Sequence, residues 1–334
     1  MADAVLLPDK NAVMTVVTVI KVTCSFLSDG TTRVSEKQMP LCYGDEYFGE
    51  TGQSSVRYAT DMVYEKSGTD IAVNGTAYAP MGDPVTRIPV SVSVGTHKKA
   101  IVVWGDRQWK STLGFVSKTR PVPFATMAIR YERAFGGTDT SHKNKEKHGS
   151  CKENPIGMGF RLSTGKKSTT GLSIPNIETL LHPITTWNDK PKPEGFGFVA
   201  PLWEPRLSQA GTHNAAWQKE RIRLPPLDYD HRFNNAAAPD LITKKALTGK
   251  ETVTLKNLHP VYETIRFKLP GFLFRIAYIF EHQTVKPKPV LDTLIIEPDE
   301  NRFIMVFRCH YPGPLSWSQL KQVTIHEENT EASA

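Results

Sequence analysis

The chain has 334 residues, 39% of them hydrophobic and 22% charged, with a formal net charge of +7, enough for one large globular domain or two lobes with their own cores. Residues 12–27 form the longest apolar stretch, but Lys21 and several Thr and Ser residues interrupt it, which argues against a membrane span. The start lacks the basic n-region of a secretory signal, so the expectation is a cytoplasmic protein without membrane insertion.

The lysines gather at 143–147, 166–167, 190–192 and 286–288, among Pro, Gly and Glu. No aromatic platform interleaves with them, so solvated loops are expected rather than a nucleic-acid surface. The four cysteines, Cys24, Cys42, Cys151 and Cys309, form no CxxC pair and no disulfide framework. Three read as small buried hydrophobes and Cys151 as part of a polar loop.

In chain order, Val, Ile and Thr with partial alternation predict strands over 13–27, 56–65, 70–79, 85–94, 100–105 and 123–132. Asn74-Gly75 and Gly82-Asp83 mark turns or bulges. Residues 136–245 are rich in Gly, Pro, Asn and Trp and carry no long periodic run. One helix is predicted there, over 214–223, with Asn214 as N-cap. Strands resume at 251–258, 263–269, 272–281, 290–297 and 302–309, with 298–301 as a hairpin connection. A short helix is predicted at 314–322 and a frayed tail at 326–334. The fold expected is mainly β: many short, mostly antiparallel strands in sandwich- or barrel-like arrangement, with few short helices. It is either one domain over 1–325 or two β-rich lobes, 1–135 and 246–325, joined by the loop-rich segment 136–245.

No nucleophile elbow, P-loop, dinucleotide fingerprint or HExxH is present. His142, His148 and Cys151 are donors that suit zinc, but in no familiar spacing and without an evident fourth ligand. Asp228, Asp230 and His231 are the one set suited to acid–base chemistry, or else turn-capping residues. No cofactor, metal or enzymatic activity is expected.

Several short motifs read as turn chemistry or as recognition surface. They are Gly105 to Trp109, Tyr131 to Gly137, Asn154 to Gly159, Trp203 to Arg206 and Gly211 to Trp217. With Lys66 to Asp70, Pro175 to Glu178, Glu194 to Phe198, Pro225 to Asp230, Asn234 to Ala237, Leu269-Pro270 and Leu291 to Asp299, they resemble, in order and over nearly the whole chain, the family catalogued as domain of unknown function 2169. Two positions depart from the pattern: Ser67-Gly68 where a proline usually follows the lysine, and Phe307-Arg308 where Trp-Arg is typical.

The resemblance implies a cytoplasmic adaptor or chaperone of bacterial type VI secretion. Such a protein loads an effector bearing a PAAR or PAAR-like domain onto the VgrG spike. Trp, Tyr and Arg anchor interfaces, so Trp104, Arg107, Trp109, Tyr131, Arg133, Trp203, Arg206, Trp217 and Arg232 are the expected partner-binding residues, aided by open strand edges. The alternatives are a hydrolase using Asp228, Asp230 and His231, and a structural component of the secretion particle.

Overall fold

A computed structural model describes residues 1–113, 115–162, 169–312 and 319–328. Its centre is a six-stranded sheet in the order Ala2–Pro8, Met14–Phe26, Arg302–Pro312, Val290–Glu297, Asp70–Val73, with Thr32–Val34 also paired to Met14–Phe26. All pairs are antiparallel except Val290–Glu297 with Asp70–Val73. A five-stranded sheet runs Ile177–Thr179, His97–Trp104, Arg87–Val94, Thr252–Lys256, Thr264–Lys268, and a three-stranded sheet runs Thr284–Val285, Leu273–Phe280, Leu320–Glu328. The mainly β expectation holds, and among the described residues no sheet closes into a barrel.

The layering follows from the two-residue period of a strand. On one face of the Met14–Phe26 and Arg302–Pro312 pair lie Thr18 opposite Cys309, Ile20 opposite Phe307 and Cys24 opposite Phe303. The other sheets pack there. Phe267 stacks between Phe26 at 4.6 Å and Phe303 at 5.0 Å, and the Tyr278 hydroxyl donates to Thr18 Oγ1 at 2.9 Å. Each such fully buried side chain contributes roughly 1.5–3 kcal/mol. The opposite face carries Lys21 and Arg308, both buried. Lys21 Nζ lies 2.9 Å from Asp61. Arg308 pairs with Asp292 and donates to the Asp61 and Val63 carbonyls, both at 2.7 Å. Loops therefore cover the face that the sheets leave.

Segments 1–135 and 246–325 do not form separate lobes, because both large sheets draw strands from both. Several expected strands are shorter than their sequence pattern. Only Val56–Tyr58 of 56–65 is extended in a sheet, because Asp61 turns inward to Lys21 and to the Cys42 N–H. Only Thr126–Ala128 of 123–132 is strand. A 3-10 turn, Tyr131–Arg133, follows, with Glu132 accepting from the Ser55 N–H. The helix predicted at 214–223 forms over Ala215–Glu220, with the Asn214 side chain accepting from the Trp217 N–H. Of the helix expected at 314–322, residues 314–318 lie outside the described residues, and Leu320–Glu328 is a strand instead. His326 to Glu328 are likewise not frayed, since they pair with Arg275, Phe274 and Leu273; the rest of the tail is outside the described residues. No described helix is long and apolar enough to cross a membrane.

All four cysteines are free and buried; Cys151 lies in a loop beside the exposed Lys152 and Glu153, with its own side chain turned inward. Burial pushes the Cys24 thiol up to about 12 and the Cys42 thiol up to about 11. Thiolate is the reactive form, so a disulfide-exchange reagent at pH 8 is expected to titrate close to none of the four in the native protein and all four in denaturant. The same shifts have a stability sign. Above the ordinary thiol value of about 8.5, unfolded thiols ionise while the buried ones stay neutral. Their contribution is thus complete below that value and is lost as pH climbs through the raised ones.

Candidate interaction groove

Five of the nine expected anchors are buried parts of the scaffold. Arg107 pairs with Glu178 at 2.6 Å and donates to the Pro175 carbonyl at 2.7 Å. Trp109 packs on Ile174 and Ile184 in a small second core. Tyr131 and Trp203 meet edge to face at 5.5 Å in the main core. Arg206 is 6% exposed. Trp104 is half-buried between the guanidinium groups of Arg107 at 4.4 Å and Arg87 at 5.3 Å. Arg133 is partly open and bonds Asn176 at 3.2 Å. Trp217 spends its indole N–H on the Leu224 carbonyl. Arg232 alone stands well out, its side chain 68% exposed. The structure thus gathers Trp104, Arg107 and Trp109 in one region and Tyr131, Trp203 and Arg206 in another. Arg232 joins Arg206, whereas Trp217 stands apart.

The turn motifs knit to one another. The Asn154 amide donates to the Tyr131 and Phe135 carbonyls, and the Asn176 amide donates to the Trp104 carbonyl and to Asp106. Asn235 is the tie between Asn234–Ala237 and the 66–70 loop. It accepts from Ser67 and donates to the Gly68 carbonyl and to Asp70. Lys66 neutralises Asp70 at 2.8 Å.

Above this tie opens a cavity of about 460 Å³. Its floor holds the buried Val199, Arg206, Asn235, Ala237 and Thr243; Ser67, Pro205, Arg232, Pro239 and Lys244 stand at its rim. Pro239, Ile242 and Lys244 are also walls of an adjoining hollow of about 700 Å³ that extends to the turn at Val94 to His97. The two make one groove. Arg206 reaches the floor because the short helix Arg206–Gln209 lies against the 3-10 turn His231–Asn234. Its Nη1 donates to the Val199 carbonyl at 2.6 Å and its Nε to the Phe233 carbonyl at 3.2 Å. Its pKa is lowered, chiefly by burial.

Gly68 sits under this floor. A Cβ there would lie 1.8 Å from the Thr243 carbonyl oxygen. That oxygen cannot swing away as a side chain can, so Gly68→Ala is expected to cost at least the roughly 1–3 kcal/mol of ordinary overpacking. A urea unfolding curve measures it.

The acid–base candidates are occupied elsewhere. Asp228 accepts from the Thr212 N–H and hydroxyl. Asp230 caps the Arg232 N–H and holds its guanidinium. His231 bonds the Tyr64 hydroxyl and lies 3.0 Å from Glu65. None of the three lines either hollow of the groove. Near Cys151, His142 accepts from the Asn144 N–H and His148 bonds the His142 carbonyl. No group of three or more His, Cys, Asp or Glu among the described residues is placed to hold a metal ion.

Sequence reasoning named Arg206 and Arg232 but missed the rest of the groove. Ser67 and Asn235 lay inside stretches that entered only through the family resemblance. Ile242 and Lys244 carried no local signal, because only the fold brings them to Arg206. A family model described as an uncharacterized protein conserved in bacteria, DUF2169, matches residues 11–308. No curated protein and no solved structure matches the chain.

Proposed function

This chain belongs to the DUF2169 family, and on that premise we propose that it is a non-enzymatic cytoplasmic adaptor or chaperone that binds a type VI secretion effector through its PAAR or PAAR-like region and promotes loading onto the VgrG spike. The observation that carries the reading is the groove itself. Pieces of the chain that carry the family resemblance, at Arg206 and at Asn235 and Ala237, converge there from distant positions. They form an open channel with Arg232 and Lys244 at the rim of its first hollow and Asp240 and Glu251 along its second. Such a channel suits a segment of another protein.

The experiment is co-expression with the effector and isolation of the complex. A stable complex that delivers the effector to VgrG supports the reading. An effector that stays soluble and reaches the spike equally well without this chain refutes it. Recovery of this chain in secreted particles would instead favour a structural component.

A further inference from the structure

Five Lys and Arg residues among the described residues are buried as a whole, Lys21, Lys99, Arg107, Arg206 and Arg308, and the buried side chain of Lys66 is paired with Asp70. Four of the five have carboxylate partners. Lys21 is 2.9 Å from Asp61, Lys99 is 2.9 Å from Asp240 and 3.0 Å from Glu194, Arg107 is 2.6 Å from Glu178, and Arg308 pairs with Asp292. Arg206 is the exception. No carboxylate of the described residues lies within ion-pair distance of it, and its bonds go to two neutral carbonyls. It is also the one of the five that lines the 460 Å³ cavity, whose walls include Arg232 and Lys244 and no carboxylate. A buried cation is costly unless an anion meets it; this protein places a carboxylate in contact with the other four, whereas Asp45 and Asp70 act on Arg206 only from beyond ion-pair distance.

We propose that the 460 Å³ cavity of the groove is a receptor for an acidic, otherwise apolar extended segment of the partner protein, whose carboxylate ion-pairs with Arg206 on the floor while Lys244 draws it in at the rim. This rests on the protein-binding reading above and names the chemistry of the segment bound. A peptide carboxylate fits better than a nucleic-acid backbone. The walls beside Arg206 are Val199, Pro205, Ala237 and Pro239, and no aromatic ring lines the cavity to stack a base. The planar guanidinium matches a carboxylate, and the adjoining hollow leaves room for the chain to continue toward Val94 to His97.

The test uses the full chain and a fluorescein-labelled pentapeptide, Leu-Glu-Val-Glu-Leu, with its Leu-Gln-Val-Gln-Leu counterpart, read by anisotropy. The acidic peptide is expected to bind saturably, at least tenfold tighter than the amide peptide, and more weakly as salt rises. Lys244→Glu, at an exposed position, is expected to weaken it at least tenfold with unchanged melting. Arg206→Met is expected to abolish binding; if that variant fails to fold, Lys244→Glu carries the test. Equal binding of the two peptides, no saturable binding, or indifference to Lys244→Glu would overturn the proposal. So would a single-stranded oligonucleotide that binds more tightly and is lost with the same substitution. The peptide assay needs no effector. Failure of the wild-type chain to capture its effector counts against the adaptor reading, whereas undiminished capture by Lys244→Glu counts against the acidic-segment receptor alone.

Discussion

Asp61→Ala is expected to lower the free energy of unfolding by roughly 3–5 kcal/mol, the cost of breaking a buried ion pair and stranding one partner. Lys21 is 1% exposed on the loop-covered face of the central sheet. Its ammonium has Asp61 at 2.9 Å and Cys42 Sγ at 3.3 Å. Burial works against the charge, but Asp61 and Cys42 outweigh it, and the Lys21 pKa stands above its ordinary value. Asp61 also accepts from the Cys42 N–H at 2.8 Å, so the substitution strands a cation and a backbone donor together. Adding Lys21→Met removes the stranded charge, and the double variant is expected to recover all but the roughly 1–3 kcal/mol of the orphaned donor. Urea unfolding of the three variants measures this. A double variant no more stable than Asp61→Ala would show that the loop geometry, not the charge pair, was the loss.

Trp203→Ala is expected to cost roughly 3–5 kcal/mol, the range for emptying an aromatic site in a packed core. Trp203 is 3% exposed and meets Tyr131 edge to face. Trp217→Ala is expected to cost roughly 1 kcal/mol, about one hydrogen bond, since that ring is half-buried on a six-residue helix and its indole N–H bonds Leu224. Thermal melts of the two variants decide the ranking. The reverse order would mean that the 215–220 helix braces the fold more than its contacts indicate.

Those two tryptophans show where sequence reasoning stops. Each is an aromatic residue among Gly, Pro and Arg, and the partners that separate them lie elsewhere in the chain. Alternation made Met14–Phe26, Arg87–Val94 and Arg302–Pro312 legible, since a strand's buried face is written in its own residues. The Asn214 cap and the turn at 298–301 were legible for the same local reason. The hairpin of Arg107–Thr112 with Phe115–Lys118 was not, because its polar residues read as a turn motif. Arg107 and Arg206 were misplaced at a surface for a physical cause. Charge alone predicts exposure, and what buries Arg107 is Glu178, 71 positions away. The groove was half legible: two of its cations were named, but Lys244 and Ile242 reach it only through tertiary packing.

The interleaving of early and late strands has a consequence for synthesis. Met14–Phe26 is apolar on a whole face, and its long partner is Arg302–Pro312. At roughly 5–20 residues per second, a ribosome leaves that strand waiting on the order of 14–55 s with only Ala2–Pro8 and Thr32–Val34 to pair with. Pairing across such a span is intrinsically slow and exposes sticky surface meanwhile. A nascent chain stopped anywhere before residue 302 should therefore cling to cellular holdases, and release should come abruptly once the late strand emerges, rather than in stages.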